Sequence, residues 1–139
     1  MVSKTEKILR KLLPWRVVLS EDYMIRFFIW GSRGEGDEGR GLRLHIIKGS
    51  DSARVYHDHP YNFKSLLLKG AYLEHTPEGS RWYRAGQINR KTTDDWHRLD
   101  VSKGNVWSLV WCGPRLQDWG FWSGRQGDPK IPWREYNES

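Results

Sequence analysis

Cysteine is nearly absent: Cys112 is the single one in 139 residues. That excludes an internal disulfide framework and any cysteine-built zinc cluster within the chain. No apolar run approaches the roughly 20 residues that a spanning helix needs, so no membrane partner is expected. There is also no internal repeat and no domain linker, and the length suits one domain over residues 1–139. The opening segment, Met1–Leu13, is basic, and Arg10 and Lys11 interrupt its apolar Ile8, Leu9, Leu12 and Leu13. That is a poor secretory core, and with the lone cysteine it gives the expectation of a cytoplasmic protein.

What is abundant is aromatic: nine Trp, six Tyr and four Phe. With 37% hydrophobic and 29% charged residues, the chain can bury a core and is not a disordered polymer. Twenty-three Lys and Arg against seventeen Asp and Glu leave a net charge of +6, which favours anionic partners.

Ile8, Leu9, Leu12 and Leu13 recur at helical spacing, predicting a short amphipathic helix over 4–13, stopped by Pro14 and laid on a sheet. From Trp15 onward, runs of Val, Ile, Tyr, Phe and Trp alternate with turn residues, an all-β pattern. Strands are expected near 15–19, 23–30, 42–48, 53–59, 64–69, 71–75, 81–85, 87–91, 95–100, 105–112 and 118–122, closing as a sandwich or barrel. GSRGEGDEGRG at 31–41 reads as a mobile loop or lid, and the tail from Gly124 as a surface wrap pinned by its aromatics.

The histidines are the chemically informative residues. His57 and His59 stand two apart in RVYHDHP, so in an extended chain both imidazoles project from one face and can share a metal ion. A run ending at Gly70, a second glycine at Gly86 and His97 eleven residues beyond it continue the pattern.

These positions resemble the cupin superfamily, small double-stranded β-helix or jelly-roll barrels with a metal inside. Its first motif carries HxH and a closing glycine, here His57, His59 and Gly70; its second has a glycine followed by a histidine, here Gly86 and His97. The short stretch Ala71–Ala85 between them suits small cupins, and WHRLDVSKGNVWSLVWCGPRLQDWGFW looks like cupin-like proteins of bacteria and phages. The sequence departs from the motifs in places. Phe63 and Lys64 occupy the region of the usual Glu, and Thr92, Asp94 and Val101 replace the usual Pro, Gly and Asn. The resemblance covers about residues 40–122. It implies a three-histidine metal site, His57, His59 and His97, holding one divalent ion, with Fe(II) first and Zn, Mn or Ni as alternatives.

Glu74 is the nearest replacement carboxylate and shares a strand face with Tyr72. Three roles stay open for it: completing the metal shell, accepting a substrate proton, or pairing with an inward arginine. Both residues are candidate catalytic groups. His45, Arg84 and Trp107 are candidate substrate contacts, and Cys112 reads as packing.

The resulting expectation is a metal-dependent cupin enzyme acting on a small polar or anionic molecule, with an iron(II) dioxygenase preferred over an isomerase, lyase or hydrolase. The alternative is a non-catalytic or hydrolytic barrel that binds a nucleotide-like or phosphorylated molecule. Nucleic acid is disfavoured because the basic residues are dispersed and the tryptophans lie within strand patterns. A homodimer is expected, since cupins commonly pair through barrel edges.

Overall fold

A computed structural model describes residues 3–13, 15–20, 23–32, 39–50, 56–101, 105–123 and 130–132. Ser3 caps helix α1 (Lys4–Leu12), its hydroxyl accepting from the Glu6 N–H at 3.1 Å. The strands are β1 (Arg16–Ser20), β2 (Met24–Gly31), β3 (Gly41–Ile47), β4 (Phe63–Lys69), β5 (Ala71–Thr76), β6 (Gly79–Arg84), β7 (Ile88–Lys91), β8 (Arg98–Asp100), β9 (Val106–Cys112), β10 (Gly120–Phe121) and β11 (Ile131–Pro132). They form a larger sheet in the order β1-β2-β3-β9-β4-β7, a smaller one in the order β6-β5-β8, and the pair β10-β11.

Period-two burial decides how the sheets meet. Met24, Ile47, Leu67 and Val106 of the larger sheet interlock with Tyr72 and Tyr83 of the smaller one and with Val101, forming an apolar cluster between them. Tyr61, Val110 and Cys112 form a second cluster with Phe63. The opposite face of the larger sheet buries Ile25, Phe27, Leu44 and Ile46 under Leu9 and Leu13, whereas Ile8 and Leu12 of the same apolar pattern are exposed. Glu6, 1% exposed on the same helix, is held by Lys48 at 3.0 Å and Arg10 at 3.5 Å.

Both motif glycines bear backbone conformations that side chains resist. Gly70, between β4 and β5, has φ +84°, and a Cβ there would lie 2.6 Å from the Asn105 carbonyl oxygen. Gly86 has φ +92° and donates its N–H to Leu67 O at 2.7 Å.

Three expectations change. The stretch expected as a strand over 53–59 is, in its described part, an extended segment bridged only at His57, because the Asp58 side chain takes a bond that a strand neighbour would otherwise make. The strand expected over 95–100 shortens to β8, and that over 118–122 shortens to β10. Most of the 31–41 loop, Pro14 and nearly all of the tail from Gly124 lie outside the described residues. Among the described residues no helix is long and apolar enough to cross a membrane.

Candidate metal centre

Backbone pairing brings the three histidines together. The His57 N–H donates to His97 O at 2.9 Å and the His97 N–H returns to His57 O at 3.0 Å, locking residues forty positions apart edge to edge. His59 then falls on the same face as His57, and the ring centroids stand 5.0 Å (57–59), 4.8 Å (57–97) and 4.7 Å (59–97) apart. One nitrogen from each imidazole lies within 4.8 Å of the others.

Asp58 faces the other way and anchors the segment. Its carboxylate, 3% exposed, accepts from the Gly120 N–H at 2.7 Å, from Lys130 Nζ at 2.9 Å and from Gln117 Nε2 at 3.1 Å. Gln117 Nε2 also donates to His59 O at 2.8 Å. Burial raises the Asp58 carboxyl above its ordinary range, and the bonds from Lys130, Gly120 and Gln117 oppose that rise.

Glu74 stands behind His97. Its Oε2 accepts from His97 Nδ1 at 2.8 Å and from Asn89 Nδ2 at 2.8 Å, while Oε1 meets Lys91 Nζ at 2.7 Å. Burial pushes its carboxyl up. The hydrogen bond and charge of His97, with Lys91 and Asn89, more than reverse this and bring it down to about 2. The carboxylate is therefore ionised at neutral pH and accepts the Nδ1–H of His97, so that Nε2 is the ring nitrogen turned away from it.

The cluster has the chemistry of a metal site. Burial holds the His59 imidazole well below its ordinary pKa, and the neighbouring His97, His57, Arg26 and His45 add to the effect, so His59 is neutral and able to donate a lone pair. Its Nδ1 is buried with no hydrogen-bond partner among the described residues, as expected for a nitrogen left for something else. An all-imidazole donor set suits Fe, Zn, Ni or Mn, and three ligands leave coordination positions open.

The histidines line a cavity of about 90 Å³ together with Tyr23, Arg26, His45, Tyr61, Tyr72 and Asn89. His45 and Tyr72, the expected substrate contact and catalytic group, both line this cavity. Tyr72 Oη accepts from Asn89 Nδ2 at 2.9 Å, and burial drives its phenol pKa upward, so it keeps its proton.

Three expectations need correction. Trp107 does not line the cavity; it packs with Ile25, Phe27, Leu44 and Ile46 on the face under α1, because Ser108 and Val110 hold the inward places on β9. Arg84 is exposed, since only Tyr83 of β6 is buried. Glu74 is engaged by His97, Asn89 and Lys91, so the open role that the geometry matches is ion pairing, with Lys91 in place of the expected arginine.

Asp58, Gln117, Asn89 and Arg26 were not anticipated. Arg26 carried the one available signal, since it alternates with Ile25 and Phe27 in β2 and so takes the opposite face from those buried residues.

No family model matches the chain, and no curated protein matches it. Solved structures do. A protein with a double-stranded β-helix domain from Klebsiella pneumoniae superposes with a TM-score of 0.55 at 13% identity, covering 73% of this chain and 86% of that one. A cupin superfamily protein from Desulfitobacterium hafniense gives 0.52 at 12%, covering 73% and 84%. A sugar phosphate isomerase of the cupin superfamily from Silicibacter pomeroyi gives 0.54 at 13%, covering 78% and 74%. Identities this low speak to the fold, and the fold is cupin-like.

Proposed function

We propose that this cupin-fold chain is a metal-dependent enzyme acting on a small polar or anionic molecule, with His57, His59 and His97 as the ligands. The observation that carries the reading is the convergence of three imidazole nitrogens within 4.8 Å, one of them oriented by a buried carboxylate. When bound, the ion supplies Lewis acidity and, as iron(II), redox chemistry with dioxygen.

The chain's own groups define what sits beside it. Arg26 reaches the cavity and supplies positive charge for an anionic substrate, while His45 offers a ring nitrogen. Tyr72 keeps its hydroxyl proton and presents it to the cavity as a donor. Glu74 acts through His97 as a positioning residue; a carboxylate with a pKa of about 2 is a poor base. A cavity of about 90 Å³ is far below the roughly 300 Å³ of pockets that hold drug-sized ligands. This favours a small substrate over the nucleotide-like ligand of the alternative reading.

The test is turnover on a panel of small carboxylates, thiols and sugar phosphates. The protein is loaded in turn with Fe(II), Mn, Ni or Zn, and oxygen consumption and product are followed together. The reading expects conversion with one of these metals, at least a hundredfold lower in His59→Ala. Binding of a panel member that persists unchanged in His59→Ala, with no conversion under any metal, would contradict it.

A further inference from the structure

Helix α1 covers only part of the outer face of the larger sheet. It closes the side bearing Ile25, Phe27, Leu44, Ile46 and Trp107, while Trp111 and Trp30 remain 60% and 59% exposed. Register sets Trp30 beside Leu42, Leu42 beside Trp111, Trp111 beside Lys64 and Lys64 beside Arg90. At about 4.8 Å per strand spacing this row crosses five strands and runs about 19 Å. The two indole rings lie 6.4 Å apart, inclined at 42°.

Trp111, Lys64 and Arg90 border a groove of about 570 Å³, whose charged lining residues are Lys64, Arg90 and Lys91, with no Asp or Glu among the described ones. Glu74 holds the Lys91 ammonium at 2.7 Å. Lys64 and Arg90 are exposed, and neither meets a carboxylate among the described residues.

The occupant has to satisfy both features. An apolar protein surface would desolvate two cations without compensation. A second copy docked across a two-fold axis would gather four cations, Lys64 and Arg90 of each chain, in one interface, with no Asp or Glu among the described lining residues to neutralise them. Single-stranded nucleic acid matches both, offering ring faces for the indoles and phosphates for the cations.

We propose that this face binds single-stranded nucleic acid, with bases stacking on Trp30 and Trp111 and phosphates meeting Lys64 and Arg90. Residues 30, 111, 64 and 90 are dispersed in the sequence, but strand register makes them neighbours. The net charge of +6 acts in the same direction.

The test is fluorescence anisotropy of a fluorescein-labelled twelve-nucleotide oligothymidylate titrated with the full chain at 50 to 200 mM salt. Affinity is expected to fall as salt rises, with a log–log slope of about 0.7 per phosphate neutralised. Lys64→Gln with Arg90→Gln reduces that slope by roughly 1.4 and weakens binding at least tenfold. Trp111→Ala weakens binding about 5- to 150-fold with the slope unchanged. Quenching of tryptophan emission by the oligonucleotide is a further expected signal that needs no variant. No anisotropy change at 50 mM salt, or equal binding by wild type and variants, overturns the proposal. So does sedimentation showing a dimer that Trp111→Ala dissociates, which would assign the face to a second copy.

Discussion

His97 Nδ1 and Glu74 Oε2 lie 2.8 Å apart, both groups buried, and this single bond determines which nitrogen of His97 faces away from the carboxylate. The residue that stands behind a ligand is often as decisive as the ligand. Glu74→Gln keeps the shape and removes the charge. Metal affinity, measured by competition with a chromophoric chelator, is expected to drop 10- to 100-fold while the far-ultraviolet circular dichroism stays that of the wild type.

The same pair sets an acid limit on the fold. Glu74 titrates at about 2 when folded against 4.5 for its ordinary value, so between those values the unfolded chain binds more protons than the folded one. The contribution, on the order of 3 kcal/mol, is complete above pH 4.5 and is lost as pH falls towards 2. Urea unfolding of the metal-free protein at stepped pH is expected to show this decline in wild type and its absence in Glu74→Gln.

Asp58 has a structural consequence of its own. Asp58→Ala strands the Gly120 N–H and removes the carboxylate that Lys130 and Gln117 contact. A loss of about 2 to 4 kcal/mol in denaturant unfolding is expected, together with weaker metal binding, since Asp58 lies between two of the proposed ligands.

Replacing Arg26 tests the proposed anion binding apart from metal binding. Arg26→Met is expected to keep metal content at the wild-type level and to weaken a small carboxylate ligand about 10- to 150-fold by calorimetry. Equal affinity in the variant would remove Arg26 from the anion-binding role.

Trp107 and Arg84 test the corrected placements. Trp107→Ala, on the face under α1, is expected to lower the unfolding free energy by about 2 to 4 kcal/mol with metal content unaltered. Exposed Arg84→Ala stays within about 0.5 kcal/mol of wild type in the same measurement.

The convergence of the three histidines could be read in part before the fold was known, because their placement follows local rules. HxH places two rings on one face of an extended segment, and Gly70 and Gly86 mark turns that demand positive φ. The misreadings come from information that periodicity lacks. Alternation groups Trp107 with Leu109 and Trp111 and sets Ser108 with Val110, but only the position of α1 decides which row faces outward. Asp58, Asn89 and Gln117 act through partners 15 to 62 residues distant, among them Glu74 and Gly120. No local pattern encodes those separations. The dispersed Trp30, Trp111, Lys64 and Arg90 became one surface row only once the strand order was known.

The most direct measurement is the metal content of the purified full chain by elemental mass spectrometry, after anaerobic reconstitution with Fe(II), Mn, Ni or Zn and removal of loosely bound ion. The account predicts close to one equivalent in wild type and loss of it in both His57→Ala and His97→Ala. No retained metal in the wild type under any of these ions, or a full equivalent kept by both variants, would contradict it.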